Sequence, residues 1–212
     1  MAGGVNLEPL ALTGTILISA SFAYALYLIP GKIKKAEDFP SPSVPDLKDD
    51  ELKLNYIFSK SGRSVKEAIL KIIQETKHSL DIASFSFTEK EIVTHLGLAT
   101  KRGVKVRVIT DRDQSNNKFQ KDAINMLLSK GIPVKLNTFD GLMHLKLLIS
   151  DRKSVVAGSY NLSKNAETKN DEVMIFINNK KIGTEWSELY EARWDDETNF
   201  RPHYKEEGRR YA

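Results

Sequence analysis

The sequence contains no cysteine, which excludes disulfide bridges and metal sites built on thiolates. It also lacks internal repeats and low-complexity tracts. With 41% hydrophobic residues in 212, the chain has room for one globular domain and an appendage. The formal net charge of +4 is only mildly basic, so composition alone gives weak support to a polyanionic partner.

Charged residues are missing from one stretch, residues 10–29, which lies between Pro9 and Pro30. About 20 residues of helix span the hydrocarbon core of a bilayer, so we predict a membrane anchor here. A cleaved secretory signal is the alternative, but residues 1–9 contain no Lys or Arg, whereas a signal peptide begins with basic residues. Lys32, Lys34 and Lys35 follow the stretch, and the positive-inside rule then places the rest of the chain on the cytoplasmic side.

The sequence after this stretch divides into a tether and a globular part. Prolines and a cluster of acidic residues in residues 30–50 indicate an exposed tether. The predicted organisation is a stub over residues 1–9, an anchor over 10–29, the tether over 30–50, a globular domain over 51–205 and a tail over 206–212.

Apolar periodicity in the globular part alternates between strands and helices. The pattern predicts strands at residues 52–58, 80–87, 104–110, 133–137, 144–150, 154–157 and 173–177. It predicts helices at 65–76, 89–102, 118–129 and 182–194, with caps at Ser64 and Thr88. This alternation favours an α/β sandwich in which helices flank a central mixed β-sheet.

The most informative segment covers residues 143–170. His144 and Lys146 are followed by Asp151 and then by a Gly-Ser-x-Asn sequence that ends at Asn161. On an extended strand, residues two apart point to the same side, so the imidazole and the ammonium can meet one phosphate. A neutral imidazole can attack phosphorus as a nucleophile while cations hold the non-bridging oxygens. The segment therefore indicates a site that cleaves phosphodiesters.

This pattern closely resembles the signature of the phospholipase D superfamily. Within that superfamily it most resembles the short members with a single motif, which are the Nuc-type endonucleases and the Zucchini-type mitochondrial proteins. Residues 79–88 and 101–106 also resemble that group, and the resemblance covers roughly residues 52–204. It implies a phospholipase D-like catalytic domain, a phosphohistidine intermediate, and no metal or other cofactor. The sequence lacks the cysteine-rich zinc-binding insert of many animal Zucchini-type members.

One histidine cannot act as nucleophile and general acid in the same step, and the superfamily meets this need by bringing two copies of the motif together. This chain has one copy, so the resemblance implies a homodimer in which both subunits contribute a histidine to a shared site. The implied catalytic residues are His144, Lys146, Asp151, Asn161 and Glu172, and the implied substrate-binding residues are Ser159, Lys164 and Lys169.

The resemblance gives these residues different roles. Lys146 and Asn161 would clamp phosphate oxygens, with the Ser159 hydroxyl nearby. Glu172 would orient the ring of the histidine, and the adjacent Asp171 is the alternative. We interpret Asp151 as closing a turn between two strands rather than as carrying a proton. Other basic residues flank the motif in sequence and are candidates for a phosphate-tracking groove: Lys118, Lys121, Arg152 and Lys153.

Three functions fit the sequence. The first is a membrane-anchored, metal-independent endonuclease that cleaves single-stranded RNA or DNA. The second is a phospholipase D-type hydrolase of membrane phospholipid such as cardiolipin. Phe139, Leu142 and Met143 are candidates for its apolar rim and fit the core equally well. The third is a catalytically silent, membrane-held binding protein, which the intact motif disfavours. The membrane would be the mitochondrial outer membrane in a eukaryote and the inner membrane in a bacterium.

Overall fold

The computed structural model describes residues 52–204, so the predicted anchor, tether and tail lie outside the described residues. Within residues 52–204, no helix is both long enough and apolar enough to cross a bilayer. These residues form a single mixed β-sheet with helices on both faces.

Strands and helices alternate along the described chain, as the periodicity predicts. The strands are β1 (Lys53–Phe58), β2 (Ser79–Ser84), β3 (Lys105–Thr110), β4 (Val134–Asn137), β5 (Lys146–Ser150), β6 (Ser154–Gly158), β7 (Val173–Asn178) and β8 (Phe200–His203). The helices are α1 (Val65–Glu75), α2 (Lys90–Lys101), α3 (Arg112–Ser115), α4 (Lys118–Ser129), α5 (Lys164–Thr168) and α6 (Lys180–Trp194). The periodicity did not predict α3, α5 or β8, which have only four or five residues, although it did predict the equally short β4.

The sheet has the strand order β1-β7-β6-β5-β2-β3-β4-β8. β3 pairs in parallel with β2 and β4, and the other neighbours are antiparallel. β5 lies antiparallel between β2 and β6, so its amino end meets the carboxyl ends of both. The loops that carry the motif therefore gather at this one edge of the sheet.

Apolar residues cover both faces of the sheet and form two clusters. The larger cluster packs α1, α2 and α4 against one face, through residues such as Ile73, Leu96 and Leu127. The smaller cluster packs α6 against the other face and includes the fully buried Val155 and Tyr190. β5 and β6 have apolar residues on both faces because both faces are covered by these layers. The predicted sandwich is confirmed.

One of the two predicted helix caps is confirmed and the other is wrong. The hydroxyl of Ser64 caps α1 by accepting from the backbone N–H of Glu67 at 3.1 Å. The cap of α2 is Glu89 rather than Thr88. The backbone N–H groups of Thr88 and Glu89 donate to the carbonyl of Leu162 at 2.9 and 3.0 Å. The residues immediately before α2 are thus bound to the loop after β6.

Asp151 occupies the turn between β5 and β6, where it and Arg152 both have a φ of 52°. Its carboxylate accepts from the backbone N–H groups of Lys77, His78 and Ser79, at 3.0, 2.7 and 2.9 Å. Burial raises the pKa of Asp151, but the three donors together outweigh burial and hold the pKa below its ordinary value of 3.8. The carboxylate therefore joins the β5–β6 turn to the loop that precedes β2.

Replacing Asp151 by Asn removes the charge and keeps a residue that tolerates a left-handed backbone. We expect the free energy of unfolding at pH 7 to fall by about 1.5 kcal/mol, because hydrogen bonds to a charged acceptor are lost. Because the folded pKa is lowered, the stabilisation is present above pH 3.8 and is lost as the pH falls through the folded pKa. Urea unfolding measures both effects. Asp122→Asn on the surface of α4 is the control, and an equal loss in both variants would contradict the assignment.

Candidate active site

His144 and Lys146 lie against the same aromatic ring, that of Phe85. The ring centroids of His144 and Phe85 are 4.7 Å apart, and the Lys146 Nζ lies 5.1 Å from the Phe85 centroid. His144 itself precedes β5, which begins at Lys146 and not at 144 as predicted. The extended pairing continues beyond the strand, because the N–H of Phe85 donates to the carbonyl of Leu145 at 2.9 Å. The structure thus brings the imidazole and the ammonium together.

Lys146 is a buried cation, with 8% of the residue exposed. Its Nζ donates to the carbonyl oxygen of His144 at 2.9 Å. Burial lowers the pKa of Lys146 to about 8, and the attraction of the Glu172 carboxylate offsets only part of this effect. The ammonium is therefore charged at neutral pH but has lost part of its hydration. An anionic ligand would stabilise the charge in place of the lost water.

His144 is exposed at the edge of the sheet, which leaves its ring accessible. Burial of part of the ring lowers its pKa below the ordinary value of 6.5, and repulsion by the Lys146 ammonium lowers it further. The carboxylate of Asp111 acts in the opposite direction. The imidazole is therefore mainly neutral at pH 7, which is the state that a nucleophile or general base requires.

Asp111 is a fully buried carboxylate at the carboxyl end of β3. It caps α3 by accepting from the N–H of Gln114 at 2.9 Å, and it accepts from the N–H of Met143 at 3.0 Å. The second contact fixes the backbone immediately before His144. Sequence reasoning missed this residue, although an acid that directly follows the predicted strand at 104–110 was the available signal.

The loop after β6 is joined to the end of β2 by two side chains. The Asn161 Oδ1 accepts from the backbone N–H of Ser86 at 3.1 Å, and the Ser84 hydroxyl accepts from the N–H of Leu162 at 3.4 Å. Asn161 is thereby held one residue from Phe85, the ring shared by the histidine and the lysine. Its phosphate contact stays a prediction.

Glu172 is buried at the start of β7 and lies beside Ser159. Its carboxylate accepts from the Ser159 hydroxyl and, at 2.9 Å, from the Asn170 amide. Asp171 is exposed, and of the two carboxylates Glu172 is the one that attracts the Lys146 ammonium. In the described part of the chain no hydrogen bond joins Glu172 to His144, and its role in orienting that ring stays a prediction.

A second carboxylate holds the same loop from its far side. The Glu167 carboxylate accepts from the hydroxyl of the buried Tyr160 at 2.7 Å and from the hydroxyl of Ser64 at 2.6 Å. Ser64 is the cap of α1, so α5 is tied to the beginning of that helix. The loop that carries Ser159 and Asn161 is therefore fixed at both ends and in its middle.

Asp151 lies too far from His144 to be one of the catalytic residues, as which it was predicted. Seven residues of extended chain separate it from His144, or roughly 20 Å along β5, and its carboxylate is occupied by three backbone donors. Arg152 and Lys153 share that turn and are likewise remote from the site. Lys164 and Lys169 are exposed at the ends of α5, on the loop that carries Asn161, and substrate binding by them stays a prediction.

The three candidates for an apolar rim differ in exposure, and Met143 is a core residue. Met143 is 3% exposed and belongs to the smaller core cluster, whereas Leu142 is 55% exposed beside the histidine. Phe139 is partly buried against Phe200. Across residues 52–204, no three His, Asp or Glu side chains cluster as a metal site would require.

Comparison with known proteins defines the class to which this site belongs. Residues 69–194 match the family model described as "Cardiolipin synthase, PLD-like domain". The chain therefore belongs to the phospholipase D-like family, and the resemblance found in the sequence is confirmed.

Two relatives match this chain over about 60% of its length. The phospholipase D of Rickettsia prowazekii is 32% identical over 126 residues, which cover 59% of this chain and 58% of the relative. Human mitochondrial cardiolipin hydrolase is 28% identical over 134 residues, or 63% of this chain and 52% of the relative. The chain thus spans little more than half the length of these curated relatives.

Two solved structures share the fold over nearly their whole length. Nuc from Salmonella typhimurium, a phospholipase D family member, superposes with a TM-score of 0.67 and 30% identity, covering 73% of this chain and 99% of Nuc. NucT from Helicobacter pylori superposes with a TM-score of 0.60 and 27% identity, covering 67% of this chain and 95% of NucT.

The electrostatics of the site predict how the histidine titrates. In an NMR titration of the full chain, we expect the His144 imidazole to have a pKa below 6.5, with His144→Gln identifying its signal. Lys146→Met should raise this pKa because a repelling cation is removed, and Asp111→Asn should lower it because an attracting anion is removed. Lys71→Met, on the exposed face of α1, should leave it unchanged. A native pKa at or above 6.5 would show that the site does not favour the neutral ring.

Proposed function

We propose that this chain is a metal-independent phosphodiesterase that cleaves single-stranded nucleic acid through a phosphohistidine intermediate. The observation that carries the proposal is the placement of a neutral His144 and a desolvated, charged Lys146 on one aromatic ring. The neutral imidazole of His144 has a lone pair that can attack phosphorus. The ammonium of Lys146 has little bound water that a phosphate would have to displace.

The reaction takes two steps in which bonds and protons balance. An imidazole nitrogen of His144 attacks phosphorus, a P–N bond forms and the P–O bond to the leaving group breaks, while a general acid protonates the leaving oxygen. Water then attacks the phosphohistidine, the P–N bond breaks, and the group that gave the proton accepts one back from that water. Lys146 and Asn161 hold the non-bridging oxygens throughout.

The general acid is proposed to be His144 of a second subunit. Among the described residues the other histidines lie away from the site: His78 at the Asp151 turn, His95 on α2, and His203 at the edge strand β8. A second imidazole near Lys146 therefore has to come from another chain. Two equivalent histidines can share one proton, so that one attacks while the other donates.

Several exposed side chains near the site favour a nucleic acid as substrate. Lys164 and Lys169 are exposed on the Asn161 loop. Phe119, 67% exposed, follows the exposed Lys118 at the start of α4. The neighbouring Gln120 anchors that helix to the site edge, because its Oε1 accepts from the N–H of Phe87 at 2.9 Å. An exposed aromatic ring among lysines suits stacked bases and a phosphate backbone.

Hydrolysis of a membrane phospholipid is the second candidate. Leu142, 55% exposed beside the histidine, offers an apolar contact for an acyl chain, and relatives carry the names phospholipase D and mitochondrial cardiolipin hydrolase. In either case the segment over residues 10–29 is proposed to hold the domain at a membrane, on its cytoplasmic side.

The substrate class is tested with the full chain in three separate reactions, all containing EDTA. The substrates are labelled single-stranded RNA, labelled single-stranded DNA and cardiolipin vesicles. We expect cleavage of nucleic acid that His144→Ala lowers by more than about a thousandfold, since the nucleophile is lost. His95→Ala, on the outer surface of α2, is the matched control and should retain native activity.

Each result separates the candidates. Release of lipid products without nucleic-acid cleavage would move the chain to the phospholipase class. Cleavage that survives His144→Ala, or that stops in EDTA, would overturn the proposed chemistry. In native chains quenched during turnover, the retained nucleic-acid fragment should be attached to His144 through its terminal phosphorus, and acid should release it.

Sharing of the site between subunits is tested by mixing. Native chains are combined with a growing excess of His144→Ala chains under conditions that allow subunits to exchange. Activity per native chain should fall toward zero, because a mixed dimer has one imidazole for two tasks. An excess of His95→Ala chains should cause no such fall, and constant activity in the first mixture would argue for a site within one subunit.

A further inference from the structure

A fully buried amide, that of Gln120, lies at the edge of the sheet that carries the candidate active site. Gln120 is 0% exposed and belongs to the first turn of α4. Its Oε1 accepts from the backbone N–H of Phe87 at 2.9 Å, and its Nε2 donates to the Thr110 hydroxyl at 2.9 Å. The Nε2 also donates to the Phe85 carbonyl, at a longer distance of 3.4 Å. Both polar atoms of this amide are therefore bonded, and all their partners lie at the ends of β2 and β3.

The orientation of the amide is fixed by its partners. A backbone N–H only donates, so the atom that faces Phe87 is the amide oxygen and the other atom is the nitrogen. The Thr110 hydroxyl, which accepts from this nitrogen, donates in turn to the Ser84 carbonyl at 2.7 Å. A continuous chain of hydrogen bonds thus runs from Phe87 through Gln120 and Thr110 to Ser84. It closes over the point where the chain leaves β2.

The segment that follows β2 depends on side chains for its hydrogen bonds. β2 ends at Ser84. The backbone N–H of Ser86 donates to the Asn161 Oδ1 at 3.1 Å, and that of Phe87 donates to Gln120. Two amide side chains thus bind donors that a neighbouring strand binds in regular pairing. Since a buried N–H without a partner is costly, these amides determine the conformation of the segment.

The segment held in this way supports three proposed catalytic residues. The Phe85 ring lies against the His144 ring and 5.1 Å from the Lys146 Nζ. The next residue, Ser86, holds the side chain of Asn161. The buried amide on α4 contacts the residues on both sides of Ser86. A shift of this segment would therefore displace the ring beneath the histidine and the lysine, and at the same time the donor that orients the asparagine.

We propose that Gln120 is a positioning residue of the active site, which acts through the segment after β2 and touches no substrate. It is fully buried, so its effect on the reaction has to be transmitted by Phe85 and Ser86. This role rests on the proposed function, because it presumes the reaction at His144 and Lys146. A misplacement of catalytic groups by about 1 Å costs on the order of a hundredfold in rate, so even a small shift of the segment has a measurable effect.

The alternative is that Gln120 only stabilises the core. A buried amide is costly unless it is fully bonded, and an apolar side chain of similar size avoids that cost. The amide here is bonded to the backbone of one short segment, on both sides of the residue that holds Asn161. A purely structural residue changes the stability of the fold. A positioning residue also changes the turnover number and the titration of His144.

The experiment compares the native full chain with Gln120→Met, Gln120→Glu and Thr76→Val. Methionine is close to glutamine in length but cannot form its hydrogen bonds. Thr76→Val is the matched control, because the Thr76 hydroxyl is also buried and lies 2.8 Å from the Ser150 hydroxyl. Ser150 is the last residue of β5, at the end remote from His144, so this variant removes a buried hydrogen bond away from the site. Thermal unfolding followed by circular dichroism checks the fold of each form.

Gln120→Met should lower kcat for the labelled nucleic acid at least about tenfold. KM should be nearly unchanged, because the buried side chain makes no contact with substrate. The pKa of His144, followed by NMR, should rise toward 6.5, because a displaced Phe85 ring leaves the imidazole better hydrated. Thr76→Val should change none of these quantities, even where its unfolding temperature falls as far. A folded Gln120→Met with native kcat would overturn the role, and so would equal losses of kcat in the two variants.

Gln120→Glu tests whether the hydrogen bonds themselves carry the effect. A protonated carboxyl group accepts from Phe87 and donates to Thr110 as the amide does, whereas a carboxylate has no donor. Burial raises the pKa of a glutamate to as much as about 8–9. Relative to the native chain at the same pH, the variant should therefore be most active near about pH 6 and lose activity toward about pH 9. A ratio of activities that stays constant over this range would overturn the role.

The titration of His144 needs no substrate, so it separates the positioning role from the proposed function. In a native chain that cleaves none of the three substrates, a rise of the His144 pKa in Gln120→Met and not in Thr76→Val would support the positioning role, although the proposed reaction would be wrong. The absence of that rise would overturn the positioning role. Nucleic-acid cleavage that His144→Ala abolishes and Gln120→Met leaves unchanged would overturn it while the proposed function stands.

Discussion

The burial of the Lys146 ammonium is the interaction on which the rest of the site depends. Burial of a cation is costly unless other groups compensate for the lost water. Here the Phe85 ring, the His144 carbonyl and the nearby Glu172 carboxylate surround it, and the pKa still falls to about 8. The site is therefore short of negative charge at the point where a phosphate would bind. The proposed phosphodiester substrate would supply that charge and compensate the buried cation.

Antiparallel insertion of β5 between β2 and β6 makes this burial possible. The insertion puts the amino end of β5 beside the loop that begins at Phe85 and beside the loop that carries Asn161. β3, parallel to β2, then delivers Asp111 to the same edge. The buried Asp111 carboxylate raises the His144 pKa, against the effects of burial and of Lys146. The imidazole is therefore neutral but can still accept a proton.

The sequence predicted the parts of the site that are local and missed those that depend on pairing between distant strands. A period of two residues places His144 and Lys146 together, and the structure does so. The same linear motif includes Asp151, which an extended strand carries to the opposite end of β5. Phe85 and Asp111 were missed because they reach the site through the sheet, from segments 59 and 33 residues before the histidine. The predicted Thr88 cap was wrong by one residue, because α2 begins at Lys90 and Glu89 is its cap; the contact of Thr88 and Glu89 with the Leu162 carbonyl just before the helix comes from a distant segment.

An isolated copy of the domain has one histidine at its site, where the proposed reaction needs two. In the proposed dimer, association of two copies would supply the second histidine. Activity would then depend on the concentration of the chain, and a membrane anchor, by confining copies to a surface, would raise the concentration at which they meet. The proposed anchor would therefore promote assembly of the site as well as determine its location.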